Sequence, residues 1–254
     1  MKRIFLILLG LVAIAVGAQA QEADTTVYFG AECLPDPATY LPEVPDSTSD
    51  AFYYDVTQYF WGRKQKNAAL TQAIADAQRD SESLCALFSE ALTIDINPDS
   101  TPEIYELIDK SVRTIEPIVL IAKHDNGRTL PAERFRTVPP SGESVAALRQ
   151  QGGSYPSMHA MAGWLTALLL AEVNPAQQNV ILKRGYDYGQ SRVILGTNWQ
   201  SDVTAGRLIA CAGYARLQAD PIFLQQMQLA VKEFLIATGQ YVEDDDTPPV
   251  EEDE

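Results

Sequence analysis

This 254-residue chain is poor in positive charge, in histidine and in long apolar runs. Its 19 Lys and Arg face 34 Asp and Glu, for a formal charge of −15. That balance argues against nucleic acid and anionic membranes as partners, since both are bound through an excess of cations. An anionic ligand would need a local cluster of the few cations present. Histidine occurs only at positions 124 and 159, and cysteine only at Cys33, Cys85 and Cys211. The cysteines are far apart and lack metal-type spacing, and an odd number leaves at least one unpaired. One disulfide is possible, with Cys85 and Cys211 on apolar helix faces where a core role is expected. No stretch reaches the ~20 apolar residues that a membrane span needs, nothing repeats at a fixed period, and no convincing alternating strand occurs.

What is present begins with a short apolar run. Lys2-Arg3, the run Ile4 to Val16 and the small-x-small site Ala18-Gln19-Ala20 read as a cleaved leader over residues 1–20. The mature chain is then expected to start at Gln21, to be periplasmic or secreted, and to insert nowhere in a membrane. Without Lys2 and Arg3 the charge becomes −17, and eight acidic residues from Glu243 to Glu254 carry nearly half of it. Residues 241–254 therefore read as a disordered acidic tail. Residues 21–49, with Pro35, Pro37, Pro42 and Pro45, read as an extended segment over the surface. Residues 50–240 are left for one globular domain.

That domain reads as all-α, with roughly eight helices. Ser49 or Asp50 caps a first helix through Trp61. Asn67 to Asp80 carries Leu70, Ile74 and Ala77 on one stripe, and Ser81 to Leu92 carries Leu84, Leu87, Phe88 and Ala91. Thr101-Pro102-Glu103 is a helix start that predicts a helix to about Ile115, before Pro117. Lys123 to Tyr155 reads as loop-rich, with a short helix over Ser144–Gln150. Helices resume over Ser157–Glu172, from Pro175 to about Leu195, over Trp199–Leu217 and over Pro221–Thr238.

Two segments carry the chemistry. Ser154-Tyr155-Pro156-Ser157-Met158-His159 enters a hydrophobic helix, and N–H groups at a helix start beside a serine hydroxyl make an anion site. His159 is placed to act as a general acid; the plain alternative is an ordinary helix cap. The second segment runs from Gly189 to Asp202. Arg192, inside an apolar stretch, needs a carboxylate or a bound anion for company, and an Arg192–Asp202 ion pair is its plain alternative. Lys123 and Arg128 form a third, weaker cluster.

The order and spacing of these pieces resemble the bacterial class A acid phosphatases, in the wider type 2 phosphatidic acid phosphatase and vanadium haloperoxidase superfamily. That family carries lysine, six residues, Arg-Pro; then Pro-Ser-Gly-His; then Ser-Arg, five residues, His, three residues, Asp. Here Lys123 is followed six residues later by Leu130-Pro131, then by Pro156-Ser157-Met158-His159. Ser191-Arg192 comes next, then five residues, Asn198, three residues and Asp202. The likeness extends over about residues 30 to 235, through Tyr40-Leu41-Pro42, Gly62-Arg63 and Ala205-Gly206-Arg207.

The resemblance implies a site for a phosphomonoester or inorganic phosphate that needs no metal or other cofactor. Lys123 and Arg192 would bind phosphoryl oxygens, with Arg128 able to reach in. Ser157 and the Met158 amide would add hydrogen bonds, His159 would protonate the leaving alcohol, and Asp202 would orient the nucleophile. Three positions depart. Leu130 removes a cradle arginine, Met158 crowds the mouth, and Asn198 stands at the nucleophilic histidine. A carboxamide nitrogen, its lone pair delocalised, cannot attack phosphorus, so impaired hydrolysis is expected, with Asn198 hydrogen-bonding Asp202. An active phosphatase using water or another nucleophile and a non-catalytic scaffold remain open readings.

Overall fold

The computed structural model describes residues 26–242. Ten α-helices, three short 3₁₀ turns and no strand occur among them. In chain order the helices are α1 (Asp50–Arg63), α2 (Ala68–Ala75), α3 (Ser81–Leu92), α4 (Pro102–Asn126) and α5 (Pro131–Arg134). They continue with α6 (Val145–Gln150), α7 (Met158–Val173), α8 (Gln178–Leu195), α9 (Gln200–Leu217) and α10 (Pro221–Ala237). The all-α expectation holds, with ten helices where roughly eight were expected. The expected leader lies outside the described residues, as does the acidic tail beyond residue 242.

Helix α7 is the centre of the fold. Ala160, Met161, Ala162, Leu165, Ala167, Leu169 and Leu170 are all fully buried, so the helix is apolar around most of its circumference, with a narrow stripe of Trp164, Leu168 and Glu172 reaching solvent. It packs most extensively on α8 and α9, with α4 and α10 completing the enclosure. One large cluster joins these helices, from Leu84 and Phe88 in α3 through Ile108, Ile115 and Ile118 in α4 to Phe223 in α10. A second, aromatic cluster of Phe52, Tyr59 and Trp199, with Phe135 against it, fastens α1 to the start of α9. Helix α1 approaches α8 closely at Gly62, where a Cβ would fall 2.6 Å from the Val193 carbonyl oxygen. Any larger residue there would push the two helices apart.

Three local expectations need correction, each for a tertiary reason. Helix α4 does not stop before Pro117 but runs through it to Asn126. A proline inside a helix costs about 3 kcal/mol. Burial of Ile118 and Val119 beyond it returns about 1.5–3 kcal/mol each, so the helix continues. Lys123 therefore sits in the last turn of a helix and not in a loop. Helix α2 is shorter than Asn67–Asp80, because Asp76 is fully buried and its carboxylate accepts from Arg184, Ser191 and Gln72. Those bonds end the helix and turn Ala77 towards α7. Finally, all three cysteines are free, and Cys211 is exposed where a core position was expected; its sulfur accepts from Trp164 Nε1 at 3.3 Å.

Candidate functional site

The ends of three helices meet at one small cavity. Helix α4 delivers Lys123 from its last turn, α7 delivers Met158 and His159 from its first, and α8 delivers Arg192 from its last. The turn after α8 supplies Thr197 and Asn198. Leu130, Leu148, Gln151, Gly153 and Arg79 complete the lining of a space of about 30 Å³. Helix termini converge here because their unpaired backbone groups need polar company, and that same need makes the place suitable for a ligand.

Three cations line the cavity: Lys123, Arg192 and Arg79. Lys123 is buried, and its ammonium donates to the Gly153 carbonyl oxygen at 2.6 Å. That carbonyl is presented by a left-handed glycine at φ 86°, where a Cβ would meet the Arg128 carbonyl oxygen at 2.4 Å. Only glycine fits. Burial lowers the Lys123 pKa to about 8; Asp202 resists the shift, while Arg192 and Arg79 add to it. Arg192 is only 1% exposed, and its guanidinium Nη1 and Nη2 donate to the two oxygens of Glu143 at 3.0 and 2.9 Å. Its Nε faces the Asn198 side-chain oxygen at 3.4 Å.

Asn198 is held from both ends of its amide. Besides receiving Arg192, it donates through Nδ2 to the Ser154 carbonyl oxygen at 2.7 Å. Its partners are therefore Arg192 and Ser154, and not Asp202 as expected. His159 donates from Nε2 to the Ala77 carbonyl oxygen at 3.0 Å, since a carbonyl can only accept. Burial, and then the charge of Arg192, hold this imidazole well below its ordinary pKa, so it is neutral with Nδ1 free as an acceptor. Met158 lines the cavity, while Ser157 faces its own helix: its Oγ accepts from the Ala160 amide at 3.3 Å, and its amide donates to the Asp202 carbonyl.

Arg128 and Asp202 form a separate buried knot behind the cavity. Arg128 donates from Nη2 to Asp55 at 2.8 Å and from Nη1 to Asp202 and to Ser201 Oγ. Asp55 also receives the Ser201 amide at 2.8 Å, and Asp202 receives the Trp199 amide at 2.7 Å. Two carboxylates thus satisfy the first free N–H groups of α9, where the helix dipole favours negative charge. Burial pushes the Asp202 carboxyl up, and Arg128 draws it part of the way back. The plain alternative of an Arg192–Asp202 pair is replaced by two different pairs, Arg192–Glu143 and Arg128–Asp202.

The cavity brings together Lys123, Met158, His159, Arg192, Asn198 and also Leu130 from the motif. It does not include Arg128, Ser157 or Asp202, which surround it from behind. Two residues escaped the reading of the sequence. Arg79 precedes α3 in a polar stretch that resembles ordinary surface, and it also pairs with Glu116 at 3.4 Å. Glu143 lies in the Pro139-to-Ser144 loop, and no local pattern marks it as the partner of an arginine 49 positions away.

Comparison with known proteins places the family. Residues 118–218, which contain every cavity residue except Arg79, match the PAP2 superfamily. The chain belongs to the bacterial acid phosphatases of class A within that superfamily. It is 36% identical to a non-specific acid phosphatase of Providencia stuartii, over 78% of this chain and 81% of that protein. A non-specific acid phosphatase of Salmonella typhimurium is also 36% identical, over 82% of this chain and 84% of its own. An acid phosphatase of Zymomonas mobilis is 31% identical over 87% and 82% of the two chains.

Proposed function

We propose that this chain is an exported member of the acid phosphatase family that keeps an oxyanion pocket for phosphate or phosphomonoesters but hydrolyses them poorly. The observation that carries this reading is Asn198, whose carboxamide faces the cavity beside Arg192. Its nitrogen is already committed to the Ser154 carbonyl. A phosphoryl group cannot be parked on an amide, so two-step covalent catalysis is lost. Charge stabilisation by Lys123, Arg192 and Arg79 remains, which suits oxyanion binding and slow attack by water. The scheme draws its positive charge from side chains and calls on no metal. Removal of residues 1–20 belongs to the same proposal.

His159 supports the acid role only in part. Its Nε2 proton is spent on Ala77, so donation to a leaving oxygen requires the ring to gain a second proton or to turn. A bound phosphate dianion would favour the charged ring by offsetting Arg192.

The test is hydrolysis of p-nitrophenyl phosphate by the unaltered protein beside Asn198→His. Negligible turnover that rises by about 10²-fold or more in Asn198→His is expected, which is the usual scale for restoring one catalytic group. Clear turnover by the unaltered protein, abolished in His159→Ala, would replace this reading with an active enzyme of different mechanism.

A further inference from the structure

The anion seat on Arg192 is already filled from within the protein. Glu143 bonds to both terminal nitrogens of the guanidinium, the bidentate geometry that arginine otherwise offers to a phosphate. The remaining nitrogen faces Asn198, and Lys123 is bonded to Gly153. None of the strongest donors of Lys123 and Arg192 is therefore idle. A phosphate that takes both terminal nitrogens of Arg192 must therefore displace Glu143.

The segment bearing Glu143 is the part best able to move. Between Phe135 and Gln151 the chain forms a strap across the mouth, and α6 within it supplies Leu148 to the cavity wall. Helix α6 contains no buried residue, so little apolar surface is lost if it lifts. The strap is tied down at few points. At one end Thr137 meets the Tyr59 hydroxyl at 3.0 Å and the Ala132 carbonyl; at the other Arg149 donates to the Gly127 carbonyl at 2.8 Å. Between them Pro139 is buried, and Glu143 is the ionic fastening to the core, steadied by the Ser141 hydroxyl at 2.7 Å. Gly142, at φ 78° with open space around it, adjoins that fastening.

We propose that Glu143 is an internal latch that occupies the oxyanion seat of Arg192, and that an incoming phosphate displaces it and releases the strap over residues 136–150. The latch rests on the reading of the cavity as an oxyanion pocket. It makes the pocket selective: a ligand must outcompete a carboxylate already held in ideal geometry. A dianion, which interacts with Lys123 and Arg79 as well as Arg192, is favoured over a monoanion.

Removal of the latch charge at constant shape tests this. Inorganic phosphate is titrated by calorimetry into the full-length protein and into Glu143→Gln. Hydrogen exchange of the unaltered protein is followed with and without phosphate. Weak binding that tightens about tenfold or more in Glu143→Gln is expected, since apparent affinity scales with the open fraction. Exchange of the 136–144 amides should rise in the unaltered protein when phosphate is added, a measurement that needs no variant. Equal or weaker binding by a folded Glu143→Gln would overturn the latch while leaving the oxyanion pocket intact. So would slower exchange of the strap on adding phosphate. Absence of phosphate binding in both proteins would overturn the pocket reading, and the latch with it.

Discussion

Two buried arginines of this fold are each paired with carboxylate, yet they are opposite kinds of structure. Arg128 sits between Asp55 on α1 and Asp202 on α9, carboxylates that are 1% and 0% exposed. Their remaining oxygen capacity is taken up by the amides of Trp199 and Ser201. Arg192 instead holds Glu143, which comes from a loop and is 20% exposed. In the first arrangement both carboxylates are buried and fully paired. In the second, one partner can leave and be rehydrated. The lesson is that a buried arginine becomes a binding group when its counter-charge is replaceable, and a structural group when it is not.

The comparison is sharpest in stability. Arg128→Met should leave two buried carboxylates facing each other without a cation, at a cost of about 3–5 kcal/mol. A urea denaturation curve would show it as a large fall in midpoint. Arg192→Met should cost less, about 1–2 kcal/mol, because Glu143 can turn to solvent. It should nevertheless abolish phosphate binding in calorimetry. Equal destabilisation by the two variants would erase the distinction between knot and pocket.

A smaller effect should separate the two regions by pH. The folded pKa of Lys123, about 8, lies below its ordinary 10.5. The burial cost of its charge is therefore fully present below pH 8 and relieved as pH rises towards 10.5. Anion binding runs the other way, since the pocket loses a cation over the same range. Sulfate keeps its charge throughout. Its affinity should fall by up to about tenfold per pH unit above that point, the linkage slope for one proton. In Lys123→Met the binding should be weak and flat across this range. A pH-independent sulfate affinity in the unaltered protein would remove Lys123 from the pocket.

The helices were legible in the sequence because their signals are local. The Ser49, Asp80, Ser144, Ser157 and Asp220 caps all accept from the first turn of the helix they precede. Apolar stripes and glycine stops set most boundaries within a few residues. The boundaries that moved, at Pro117 and Asp76, moved where long-range burial or a buried ion pair outweighed the local preference. Most of the pocket was legible too, since the spacing of Lys123, Pro156 to His159, and Ser191 to Asp202 resembles a known pattern.

What only the tertiary structure decided was the pairing of charge. From the sequence alone, Arg128, Arg192, Asp202 and Asn198 admit several arrangements. The fold selects Arg128 with Asp55 and Asp202, Arg192 with Glu143, and Asn198 with Ser154. Arg79 and Glu143 entered the site by the same route. Residue types and their local spacing determine helices and place chemistry at their ends. Electrostatic partnership depends on distances between segments up to 108 positions apart, and those are set only when the helices pack.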